Sequence, residues 1–150
     1  MQKFLESIWS RILRVVLAAA AVVMGSIPGS YLKEIPQFHE DGTLNYVDKI
    51  FTTYFEFSGN GVMDWLPLIC YVLSIAAVIV AVIGIFKETE TVLMWLARCL
   101  CFAMVAQMLI IIFLAPTVLG WCIGGVLLIA LALTAIQEMK LEDKNKNNNR

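Results

Sequence analysis

Four apolar runs, each about as long as a bilayer is thick, constrain this chain more than any other feature. They fall at about residues 9–27, 65–86, 92–114 and 117–138, and about 20 apolar residues are enough to cross a hydrocarbon core of about 30 Å as a helix. A soluble domain holds about 45–50% apolar residues even when glycine is counted. Here 60% of the 150 residues are apolar without glycine, and the mean hydropathy is +0.80. The expectation is therefore an all-α membrane protein, a single four-transmembrane-helix bundle. Residues 28–64 form one long connection, and 143–150, rich in Lys and Asn, are expected to be a disordered tail.

The first run is the weakest. Its uninterrupted part spans only Val15 to Met24, and Lys3, Arg11 and Arg14 ahead of it resemble the basic start of a signal peptide. No small-x-small pair precedes a polar start, so a retained helix is expected. With Arg11 and Arg14 reaching to the headgroups, it lengthens to Ile8 or Trp9.

Charge predicts the orientation, because cytoplasmic loops collect Lys and Arg. Lys3, Arg11 and Arg14 precede the first helix, Lys87 and Arg98 lie around the second connection, and Lys140, Lys144, Lys146 and Arg150 follow the fourth helix. All fall on one side. The connection 28–64 sets Lys33 and Lys49 against Glu34, Glu40, Asp41, Asp48, Glu56 and Asp64, a balance of −4. It belongs outside, with both ends of the chain inside. The Lys/Asn-rich end and the lack of a sorting motif point to a bacterial cytoplasmic (plasma) membrane. A formal charge of −1 with this segregation gives nucleic acid no binding surface.

Within 28–64, the apolar residues Leu44, Val47, Ile50, Phe51, Tyr54 and Phe55 recur at spacings of three and one, with Asn45, Asp48, Lys49, Thr52, Thr53 and Glu56 between them. The spacing predicts an extracytoplasmic amphipathic helix from Thr43 to Ser58, started by Asp41 or Thr43 and ended at Gly59-Asn60-Gly61. Asp64 then caps the second membrane helix. Two readings stay open for the amphipathic segment: a lid on the bundle, or a surface whose acidic face, Asp48 and Glu56, meets a partner or attracts cations.

Small residues mark where membrane helices approach closely. Ser74, Ala77, Ala81 and Gly84 stack on one face of the second helix, Ala21 and Gly25 lie four apart in the first, and Gly120 and Gly124 form a GxxxG pair in the fourth. They serve either packing inside one bundle or a homo-oligomer seam.

Two polar groups sit inside spans. Arg98 is six residues into its helix, about 9 Å from the end, and either snorkels or serves a substrate, ion or lipid phosphate. Gln107, near mid-helix, needs a partner, either across a helix interface or in a polar lining. The cysteines form no metal or redox motif: in Cys99-Leu-Cys101 the thiols point about 200° apart on a helix. Cys101, Met104 and Met108 share a face that could suit Cu(I), and Cys70 and Cys122 lie at similar depth, so a disulfide between them stays open. His39 is the only histidine. No catalytic residues, cofactor or metal site are expected. The plan of one long first connection resembles claudin-like proteins, but 28–64 holds no cysteine or tryptophan. The order of the helices also resembles, in plan alone, the small bacterial DoxX-type proteins.

The reading this supports is a non-enzymatic structural or accessory component that binds a membrane-protein partner through its acidic connection. An oligomeric channel or small transporter is the alternative, with Gln107, Ser74 or Thr134 facing water, and a lipid- or quinone-directed enzyme comes third. In a background lacking the four native cysteines, single cysteines at Asn45 or Asn60 should react with an impermeant thiol reagent from outside intact cells. A cysteine at Asn147 should react only after permeabilisation, and the reverse pattern would overturn the orientation.

Overall fold

The computed structural model describes residues 8–39, 41–56 and 65–148. In chain order the elements are α1 (Ile8–Gly25), β1 (Tyr31–Phe38), β2 (Leu44–Thr52), α2 (Trp65–Phe86), α3 (Glu90–Phe113), β3 (Ala115–Pro116) and α4 (Val118–Asn148). Each of the four helices is long and apolar enough to cross a membrane, so this is a multi-pass membrane protein. The helices form a closed ring in which α1 packs on α2 and α4, and α3 packs on the same two. The short turns at 87–89 and 114–117 make α2, α3 and α4 successive antiparallel neighbours.

Local chemistry sets the helix ends. Thr89 caps α3, its hydroxyl accepting from the Val92 N–H at 3.3 Å. At the other end of α3, the Leu114 N–H donates to the Ile110 carbonyl at 2.9 Å. Thr117 caps α4 by accepting from the Gly120 N–H at 3.0 Å. Here α4 departs from expectation, because residues 143–148 continue the helix instead of forming a disordered tail. Gln, Glu, Met, Lys and Leu fill 137–142 and are strong helix formers, while the Asn145 amide donates to Glu90 Oε2 at 3.2 Å and ties the extension to the start of α3. Its 31 residues reach about 46 Å at 1.5 Å each, well past the roughly 30 Å hydrocarbon core.

The larger correction concerns the amphipathic helix expected at 43–58. Leu44–Thr52 is instead a strand, paired antiparallel with β1 from Tyr31↔Thr52 to Phe38↔Leu44. Two local features outweigh the helical spacing. Tyr46, Val47, Ile50, Phe51, Thr52 and Thr53 are β-branched or aromatic. In addition, Asp41-Gly42 is a strong hairpin signal: Gly42 takes φ +81°, and Asp41 Oδ1 accepts from the Thr43 N–H at 2.9 Å and from its hydroxyl at 2.6 Å. Those bonds hold the Asp41 carboxyl below the usual carboxylate range. Thr43 and Asp41 therefore close a turn. The expected terminators, Gly59 to Gly61, and the cap Asp64 lie outside the described residues.

The small residues are all buried inside the protomer: Ala21 and Gly25 on α1, Ser74, Ala77, Ala81 and Gly84 on α2, Gly120 and Gly124 on α4. A methyl added at Gly120 would stand 3.1 Å from the Ser30 carbonyl, and one at Gly25 would stand 3.3 Å from the Tyr71 ring. Gly124 faces Gln107 and Ile111 of α3. Replacing Ala77 (0% exposed) or Ala81 (4%) by Leu should lower the unfolding free energy in detergent by about 1–3 kcal/mol through overpacking. Ile79→Leu, at a 57% exposed site, should change it by less than about 0.5 kcal/mol. Equal unfolding midpoints would remove close approach as the basis of this packing.

Candidate functional site

The polar groups of this chain gather at the two ends of the bundle. At one end the base of the hairpin enters between the helix ends. The Tyr54 N–H donates to the Gly25 carbonyl at 2.8 Å, which fixes the end of β2 against the end of α1. Ser30 turns back to donate to the Met24 carbonyl in the last turn of α1 and to the Ile27 carbonyl just beyond it. The Ser30 carbonyl in turn accepts from Thr117 Oγ1 at 2.8 Å. β3 completes the seam by pairing Pro116 and Ala115 with Tyr31 and Leu32. The Tyr31 and Tyr54 rings pack edge-on at 5.9 Å.

Gln107 sits beneath this base with no exposed surface. Its Oε1 accepts from the Tyr54 hydroxyl at 2.9 Å and from the Cys70 thiol at 3.5 Å, and its Nε2 donates to the Gly120 carbonyl at 2.8 Å. One amide thus joins the hairpin, α2, α3 and α4. Burial raises the Tyr54 phenol well above its ordinary pKa, so it stays a hydrogen-bond donor across the physiological range.

Above the base, every described side chain from Gln37 to Phe51 is exposed. β2 is the outer strand of a sheet ordered β2-β1-β3. Leu44, Val47, Ile50 and Phe51, on both faces of β2, are 57%, 41%, 42% and 62% exposed. Among the described residues, β1 has no neighbour on its far side beyond Leu32, where Pro36 removes a backbone donor. β2 contains no proline, so its outer edge, which pairs with no strand among the described residues, keeps its peptide groups.

At the opposite end, Arg11 and Arg14 of α1 close on Glu88 in the turn between α2 and α3. Arg11 Nε lies 2.8 Å from Glu88 Oε2, and Arg14 Nη2 contacts Glu88 Oε1. Arg11 also donates to the Ile85 carbonyl at 3.2 Å. The Arg14 and Glu88 side chains are only 4% and 6% exposed, so Arg14 does not snorkel as expected. A carboxylate within reach offers its guanidinium a better partner than distant headgroups. Sequence reasoning passed over Glu88. The signal was available: two arginines three apart on one helix, and an acid in a tight turn on the same side of the membrane.

The other candidates are dispersed. Arg98 is exposed, with its guanidinium carbon 5.4 Å from the Trp95 ring centroid; it shares an open groove between α3 and α4 with Glu138. Glu56 Oε2 accepts from the Thr53 N–H at 3.2 Å, closing the turn after β2. Asp48 pairs with Ile35 in the ladder, and its side chain lies outside those described. The strand therefore does not set Asp48 and Glu56 on one helical face. Ser74 and Thr134, proposed with Gln107 as polar lining, are buried, and each donates to the carbonyl one turn back. Cys70 is buried against Ala103 and Gln107 whereas Cys122 is exposed, and both are free thiols. Cys101 and Met108 are exposed and Met104 is buried.

No protein-family model matches the chain, and searches of curated proteins and of solved structures find no match either. The site is therefore read from its geometry alone. Gln107→Leu would strand the Tyr54 hydroxyl and should lower stability by about 1–3 kcal/mol. Tyr54→Phe should cost about 1 kcal/mol, and the double variant should fall short of the sum by about 0.5–1.5 kcal/mol. A double-mutant cycle on unfolding in detergent measures this, and strict additivity would mean the two groups are not coupled.

Proposed function

We propose that this protein is a non-enzymatic accessory component of a membrane complex, which recruits the extracytoplasmic part of a membrane-protein partner by adding a strand to β2. The observation that carries this reading is an outer strand whose far edge pairs with no other strand among the described residues and whose apolar side chains are exposed on both faces. Long, flat, apolar edges promote pairing and are normally blunted or covered, and strand addition takes its affinity from main-chain hydrogen bonds. The acidic balance of the connection favours a partner strand flanked by basic residues. Anchoring of the hairpin base through Tyr54, Ser30 and Thr117 supports the same reading, since a preorganised edge loses less entropy on binding. The segregation of basic residues to the other end of the bundle supports residence in the cytoplasmic membrane with both ends of the chain inside.

Val47 and Phe51 lie on one face of β2, outside the bundle. Replacing both by Lys should abolish co-purification of a stoichiometric companion in mild detergent and leave the unfolding midpoint of the bundle unchanged. A ring of identical copies with no companion would replace this reading with the channel alternative. A companion retained by the double variant would exclude the β2 edge as its docking site.

A further inference from the structure

At the end of the bundle opposite the hairpin, Arg11, Glu88, Gln137, Lys140, Leu141 and Lys144 line a cavity of about 340 Å³. This volume falls in the roughly 300–1,000 Å³ range of small-ligand sites. Gln137, Lys140, Leu141 and Lys144 recur at three, four and seven residues on α4, so they share one face. About 20 residues of α4 suffice to cross the hydrocarbon, which places this face at headgroup level. Glu88 is already engaged by both Arg11 and Arg14. Among the described residues, neither Lys140 nor Lys144 has an ion-pair partner, so the lining carries an excess of positive charge. Gln137 is 5% exposed, and its Oε1 is buried with no hydrogen-bond partner among the described residues. A buried orphan acceptor of this kind calls for a donor that the described residues do not supply.

We infer that this pocket binds a phosphate ester bearing a hydroxyl group: the phosphate between Lys140, Lys144 and Arg11, and the hydroxyl donating to Gln137. A phosphatidylglycerol headgroup and a soluble glycerol phosphate share that chemistry. Basic pockets between membrane helices at the headgroup level bind anionic headgroups, and guanidinium and ammonium donors together satisfy phosphate oxygens. Leu141 supplies an apolar wall for the carbon skeleton.

The test is the thermal unfolding midpoint of the full chain in a neutral detergent, titrated with phosphatidylglycerol, phosphatidylcholine or glycerol 3-phosphate. Phosphatidylglycerol should raise the midpoint saturably and phosphatidylcholine should not. Lys140→Gln with Lys144→Gln should raise the half-saturating concentration about tenfold or more, whereas Lys87→Gln, exposed at the same end but outside the pocket, should leave it near the unsubstituted value. Should the double variant not fold, Lys144→Gln alone, at an exposed position, gives the same comparison. A response to phosphatidylglycerol alone identifies a lipid site, and a matching response to glycerol 3-phosphate identifies a soluble ligand. Equal shifts with phosphatidylcholine, no shift with either phosphate ester, or the same loss in Lys87→Gln would overturn the inference.

Discussion

A side-chain amide buried inside an apolar bundle must find partners within the protein, because hydrocarbon supplies none. Gln107 meets that requirement with the Tyr54 hydroxyl, the Cys70 thiol and the Gly120 carbonyl, and the architecture of the hairpin end follows from those bonds. For Tyr54 to reach Gln107, the base of the hairpin must descend between the helix ends, which brings its backbone against Gly25. For the Gly120 carbonyl to be in range, α4 must begin beside Ser30, at an approach that leaves a β-carbon on Gly120 only 3.1 Å from a backbone oxygen. Thr117 then serves two ends at once, capping α4 and bonding Ser30.

The opposite end uses charge instead of a neutral network. Burying Arg14 with Glu88 carries a desolvation penalty that the attraction only partly offsets, so such a pair is weak evidence of stability. Its geometric consequence is clearer: α1 is set in register against the turn between α2 and α3, where Glu88 meets both of its arginines. α1 is the least hydrophobic of the four membrane helices, so a specific polar contact matters most for it.

The membrane helices were legible because an apolar run of bilayer length has few alternatives to a transmembrane helix. The need of Gln107 for a partner was legible too, although its partners were not, since Tyr54 lies 53 residues away. The segment after Thr43 was misread because its apolar residues, spaced by three and one, are compatible with either a helical face or a strand apolar on both sides. What separates the two is the partner strand Tyr31–Phe38 and the Asp41-Gly42 turn, and a window confined to 43–58 contains neither. Glu88 was overlooked for a similar reason: among the loop residues it is one acid of several, and it becomes distinctive only when Arg11 and Arg14 arrive beside it from 77 and 74 residues away.

The sequence by itself determined that the chain lives in a membrane, that it has four spans, that its charges are divided between the two ends, and that small residues line the faces of close helix approach. These follow from solvent preference and helical periodicity, which act over one or two turns of chain. Only the tertiary structure decided that the long connection holds a hairpin exposed beyond the bundle, that Gln107 is sealed under Tyr54, and that basic side chains of α1 and α4 converge on one pocket. Those are properties of groups distant in sequence, and they come into being when the packing of one helix on another brings the partners within hydrogen-bonding distance.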